Sequence, residues 1–182
     1  MTESRTALLL LDFQVGLGDQ SWARDAVANA HIALTAARNE GLLVVFSKVA
    51  FEPGYVDVAP SSKAFWPNRE KDALAPEASL LIDEFAPTAG EALVDKNRFN
   101  PFAGSKLSSI LRSQLVTHVV LAGVSTSGVV LGAFTEAETH DLHMTVLSDA
   151  CADPNPGVHH ALTETVFPRS ANVQTTTRWT GT

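Results

Sequence analysis

Short, unbroken apolar runs alternate along the chain with segments whose apolar residues recur at helical spacing. Ala7-Leu-Leu-Leu-Leu11 and Leu42-Leu-Val-Val-Phe-Ser47 have the length and content of strands covered on both faces, with no polar face left for water. Between them, residues 25–40 place Ala26, Ala30, Ala33, Leu34 and Ala37 on one helical stripe, and Gly41 follows as a C-terminal stop. The alternation continues with strands expected over 93–95, 116–122, 143–148 and 171–175, and helices over 105–115, 129–139 and 157–166. Strands separated by helices in this way fold as parallel βαβ units with right-handed crossovers. The pattern predicts an α/β fold: one Rossmann-like domain over 1–182 with a three-layer, doubly wound sheet of about six mainly parallel strands. In such a sheet ligands bind outside the carboxyl ends of the strands. Residues 49–91, rich in proline and turn residues, predict a long loop over that crevice.

Composition narrows the function. The 182 residues carry 13 basic and 20 acidic side chains, a net charge of −7. No Lys/Arg cluster is available to displace counterions from nucleic acid or to form a polybasic membrane patch. The single cysteine, Cys151, excludes an intramolecular disulfide and zinc-type cysteine spacing. The first apolar run, 7–11, is too short for a secretory segment, and no span of about 20 apolar residues exists. A cytoplasmic protein acting on a small molecule, with no nucleic-acid or membrane partner, is the expectation.

Three strand ends hold candidate chemistry. Asp12 follows the first strand directly and suits a general acid or base, or an ordinary loop cap. Lys96, after the third strand, suits neutralisation of Asp12 or of an anionic substrate, or a solvated loop position. Phe99 and Phe102 follow it and are placed to wall a pocket, although Phe102 fits ordinary core equally well. Arg98 suits either a substrate carboxylate or plain surface. After the fourth strand, Gly123-Val-Ser-Thr-Ser-Gly128 runs into a helix, where consecutive N–H groups make an anion site or a plain cap.

Taken together, these segments resemble the isochorismatase-like hydrolase superfamily. Leu-Leu-Leu-Leu-Asp12-Phe-Gln14 is similar to that family's apolar strand followed by Asp-x-Gln. Lys96-x-Arg98-Phe-Asn-Pro-Phe102-Ala-Gly104-Ser105-Lys-Leu107 is similar to its Lys-x-Arg-x-Ser-Ala-Phe-x-Gly-Thr-x-Leu. Val120-Leu-Ala-Gly123-Val-Ser-Thr126-Ser-Gly-Val129-Val130 is similar to its Gly-Val-x-Thr-x-x-Cys-Val, and Val-Leu-Ser-Asp149-Ala fits downstream. The resemblance implies a site of Asp12, Lys96 and a third residue that in the family is cysteine and here is Val129. It also implies a turn formed by Val124, Ser125, Ser127 and Gly128, in which the Val124–Ser125 bond is the place for a cis peptide. Phe13, Gln14 and, from the long loop, Trp66 are the further pocket-lining candidates.

Val129 has no nucleophilic atom, so the resemblance implies chemistry other than thiolate attack. Isochorismatases proper, as the resemblance has it, also lack the cysteine and use the aspartate to protonate a vinyl ether. The leading expectation is therefore a cysteine-independent hydrolase with Asp12 as acid/base, Lys96 orienting it, and amides of the Ser127–Val129 turn holding an oxygen. An alternative makes Ser125, Thr126 or Ser127 the nucleophile, Ser127 lying closest to the helix start, although no histidine is placed by motif to serve as base. Another is a non-catalytic binder or assembly subunit. No metal and no cofactor are expected: the histidines found after the second strand in nicotinamidases are absent, and His159-His160 read as surface residues. Cys151 reads as a structural thiol. A homo-oligomer, dimer or tetramer, is implied by the resemblance alone.

Overall fold

A computed structural model describes residues 5–71, 74 and 79–181. Six strands form one parallel sheet: β1 (Arg5–Leu11), β2 (Leu43–Val49), β3 (Ala92–Lys96), β4 (Val116–Val124), β5 (His143–Ala152) and β6 (Asn172–Gln174), in the order β3-β2-β1-β4-β5-β6. Helices α1 (Arg24–Asn39), α2 (Leu107–Ser113), α3 (Leu131–Thr139), α4 (Pro156–Ala161) and α5 (Thr176–Thr180) complete the three layers.

The two faces follow from strand periodicity. Side chains of successive strand residues point to opposite sides, so Ala7, Leu9 and Leu11 join Leu107, Leu111, Ala133 and Phe134 of α2 and α3. Leu8 and Leu10 instead meet Ala26, Ala30, Ala33, Leu34 and Ala37 of α1. The small residues of the α1 stripe let the helix lie close to the sheet. At Gly123, whose β1 partner is Leu11, an added Cβ would stand 2.6 Å from Leu11 Cβ.

Several boundaries shift from the sequence pattern. β5 runs to Ala152, beyond the expected 148, because a register irregularity between Leu121 and Gly123 of β4 lets pairing resume at Cys151 and Ala152. The expected helix over 129–139 begins with a π-type turn at Thr126–Val130, and the one over 157–166 ends in another at Leu162–Val166. α5 carries no long apolar stripe; Asp149 holds its start by accepting from the Thr176 N–H (2.7 Å) and hydroxyl (2.8 Å).

With this strand order the winding direction reverses between β1 and β4, which opens a crevice at their carboxyl ends. The described part of the loop between β2 and β3 covers it. Phe51, Tyr55, Val58 and Phe65 give that loop an apolar cluster of its own.

Candidate active site

Asp12 lies one residue past β1 with φ +60°, a left-handed conformation that Asp tolerates better than most residues. Its N–H donates to the Ser47 carbonyl of β2 (3.0 Å). The Ser47 hydroxyl donates to Asp12 Oδ1 at 2.8 Å, and Lys96 Nζ lies 2.7 Å from Oδ2. Lys96, the last residue of β3, also donates to the Arg98 carbonyl (2.9 Å). Three adjacent strands thus bring one polar side chain each to a single point. The Lys96 and Asp12 side chains are 0% and 5% exposed, so water does not screen the pair and each charge depends on the other. Both oxygens of Asp12 thus have a partner, Ser47 on Oδ1 and Lys96 on Oδ2.

The second wall comes from the end of β4. The Val124–Ser125 peptide is cis, and the π-type turn follows it. Asp153, just past β5, accepts through Oδ2 from the Ser127 N–H (2.8 Å) and hydroxyl (2.6 Å), and through Oδ1 from the Asn155 N–H (3.1 Å). Gly128 and Val130 N–H both donate to the Ser125 carbonyl. Of the Ser127–Val129 amides expected to hold a substrate oxygen, those of Ser127 and Gly128 are already bonded within the protein. The Ser127 hydroxyl donates to Asp153 and does not line the cavity. Ser125 does line the cavity.

That cavity measures about 400 Å³. Asp12, Val124, Ser125 and Val129 form part of it, with Val15, Leu17 and Trp22 from the segment after β1, Ala64, Phe65, Asn68 and Leu74 from the long loop, and Phe99. Phe99 lines the cavity; Phe13 and Trp66 do not, and Phe102 takes the core position that the sequence left open for it. Phe13 stacks on Phe85 (ring centroids 4.6 Å apart) in the core beneath α1. Phe102 packs against His140 (5.5 Å) in the core shared with α2 and α3. Trp66 packs on the loop's own cluster with the Arg69 guanidinium over its ring at 4.9 Å. Gln14 is buried and fastens the loop instead of lining the pocket: it accepts from Val49 N–H (2.8 Å) and donates to the Val49 carbonyl (3.1 Å) and Ser79 hydroxyl (2.8 Å). Trp22, which sequence reasoning missed, reaches the cavity from the turn before α1; no motif marks it.

His159 is not a plain surface residue. It is half-buried, with Nδ1 2.9 Å from the Thr126 hydroxyl. Burial holds its pKa below the ordinary histidine value, opposed by the nearby Asp153 carboxylate. Arg98 donates to the Asn97 and Asp57 carbonyls. Cys151 is buried beside the Leu121 carbonyl, and burial pushes its thiol up to about 12. It does not line the cavity. Among the described residues, no group of three or more His, Cys, Asp or Glu side chains is arranged to hold a metal ion.

Known proteins share this architecture. An isochorismatase family protein from Burkholderia thailandensis is 26% identical, with 94% of this chain and 91% of that chain covered and a TM-score of 0.82. A cysteine hydrolase from Pseudomonas syringae pv. phaseolicola (22% identity, 97% and 91% covered, TM-score 0.86) has the same fold. So does N-carbamoylsarcosine amidase from Thermoplasma acidophilum (23%, 94% and 96%, TM-score 0.77). The isochorismatase domain model matches residues 6–178, nearly the whole chain, and the chain belongs to the isochorismatase family.

Proposed function

We propose that this protein hydrolyses a small organic molecule by proton transfer at Asp12, without a cysteine nucleophile. The observation that carries the reading is the buried Asp12 carboxylate, bonded to Lys96 and Ser47, at the edge of a cavity whose wall includes Val129. Val129 stands where the family's motif has cysteine. A carboxylate can take a proton from water as the water oxygen bonds to the substrate, and can return that proton to the leaving group. Lys96 balances the Asp12 charge while the carboxylate is ionised. The Ser125 hydroxyl, in the same wall, is available to donate to a substrate oxygen. The reading also includes a homo-oligomer and a cytoplasmic location, which light scattering and cell fractionation test.

The experiment is a hydrolysis screen of vinyl ethers, ureido compounds and simple amides, followed by the Asp12→Asn variant on whatever is turned over. Loss of an acid/base group costs on the order of 10²–10⁴ in rate, so turnover should fall at least about 100-fold while circular dichroism stays that of the parent. Full activity in the folded variant would sink the proposal. A second reading, binding without turnover, is favoured by the inert Val129 and by the committed Ser127 and Gly128 amides. Saturable thermal stabilisation by compounds that the protein never hydrolyses would select it.

A further inference from the structure

Among the described residues, the lining of the cavity beside Asp12 includes one carboxylate and no basic side chain. Lys96 has a 0% exposed side chain and is engaged with Asp12 and the Arg98 carbonyl. Arg98 is turned to the Asn97 and Asp57 carbonyls, and Arg69 lies over Trp66. None of these basic residues lines the cavity. Two of the turn amides, those of Ser127 and Gly128, are bonded to Asp153 and to the Ser125 carbonyl. The rest of the wall is largely apolar, with Trp22, Phe65, Phe99 and Val129 among its members and Asn68 and Ser125 as neutral polar points.

We infer that this cavity selects neutral molecules, with an apolar body and one uncharged polar group, and rejects their carboxylate counterparts. The inference rests on the assignment of the cavity beside Asp12 as the reactive site. A substrate carboxylate entering here would lose its hydration without gaining a counter-charge, and would meet the Asp12 carboxylate as well. A neutral amide, ether or urea avoids both costs and can use the Ser125 hydroxyl and Asn68 amide as partners. At about 400 Å³ the space suits a single ring with a short substituent.

Calorimetric titration of the intact protein with matched pairs tests this: benzamide and benzoate, phenylacetamide and phenylacetate, cyclohexanecarboxamide and cyclohexanecarboxylate. Each amide that binds should do so at least about tenfold more tightly than its acid, since a desolvated, unpaired charge costs well over that factor. An acid that binds as tightly as its amide in any pair overturns the inference, as does failure of all three amides to bind. Asn68→Lys, which brings an ammonium to the rim, should raise benzoate affinity at least about tenfold; unchanged benzoate affinity counts against the inference. The hydrolase reading fails separately. If Asp12→Asn keeps full turnover while the amides retain their preference, the catalytic proposal falls and the selectivity stands.

Discussion

Replacing Lys96 with methionine tests the central pair most directly. The substitution keeps an unbranched apolar stem of similar reach and removes the ammonium 2.7 Å from Asp12 Oδ2. Because the two side chains are 0% and 5% exposed, water cannot take over the role of partner. Breaking a buried pair from one side costs about 3–5 kcal/mol, most of it the stranded charge. The Ser47 hydroxyl still donates to Oδ1 at 2.8 Å, which places the expected loss near the lower end, about 3 kcal/mol. For a chain of this size that corresponds to a Tm lower by about 6–12 °C. The double variant Asp12→Asn/Lys96→Met removes both charges at nearly constant volume and should return to within about 1 kcal/mol of the parent. Urea denaturation followed by tryptophan fluorescence reads the free energies, with the m-value as the check on two-state behaviour, and thermal unfolding reads the Tm. A Lys96→Met variant within about 1 kcal/mol of the parent, or a double variant as unstable as the sum of the two single ones, would refute a charge-dependent buried pair.

Cys151, with its thiol pushed up to about 12, should resist Ellman's reagent at pH 8 until the chain unfolds, because its thiolate fraction is on the order of 10⁻⁴. A Val129→Cys/Cys151→Ala variant should be labelled while folded, and equal protection of both thiols would contradict the cavity assignment. Gly123→Ala forces a Cβ to within 2.6 Å of Leu11 Cβ and 2.7 Å of the Leu11 carbonyl oxygen. It should cost about 1–3 kcal/mol by overpacking, and a neutral result would disprove the close approach of β1 and β4. His159 and His118 are both held below the ordinary value by burial. The unfolded chain therefore binds their protons first, so their share of stability is present above about pH 6.5 and is lost as pH falls further. His159→Gln should flatten the decline in the urea midpoint between pH 7.5 and 5; an unchanged slope would contradict its buried, neutral state.

Local pattern sufficed for the architecture. The five-residue run Ala7–Leu11 has the length and content of a strand covered on both faces, and the Ala26–Ala37 stripe has the spacing of a helix lying on a sheet. Their alternation implies the parallel βαβ winding seen in the sheet. Asp12 and Lys96 stood at strand ends in the sequence. Their separation by 84 positions is bridged because parallel strands carry their carboxyl ends to one edge, where β1, β2 and β3 lie side by side.

What the sequence could not decide is which way side chains turn once the backbone leaves the strands. Phe13 and Gln14 follow Asp12 directly, yet the positive φ of Asp12 sends one into the core beneath α1 and the other into the loop clamp. Trp66, expected at the pocket, packs on the long loop's own aromatic cluster, and Trp22 lines the cavity. The Ser127 and Gly128 amides looked free because their partners, Asp153 and the Ser125 carbonyl, are supplied by the next strand end and by the turn's own winding. Hydrophobic periodicity is a property of neighbours along the chain, and it determines elements and faces. Hydrogen-bond partners and cavity walls come from distant segments meeting at a strand edge, and only the tertiary structure decides them.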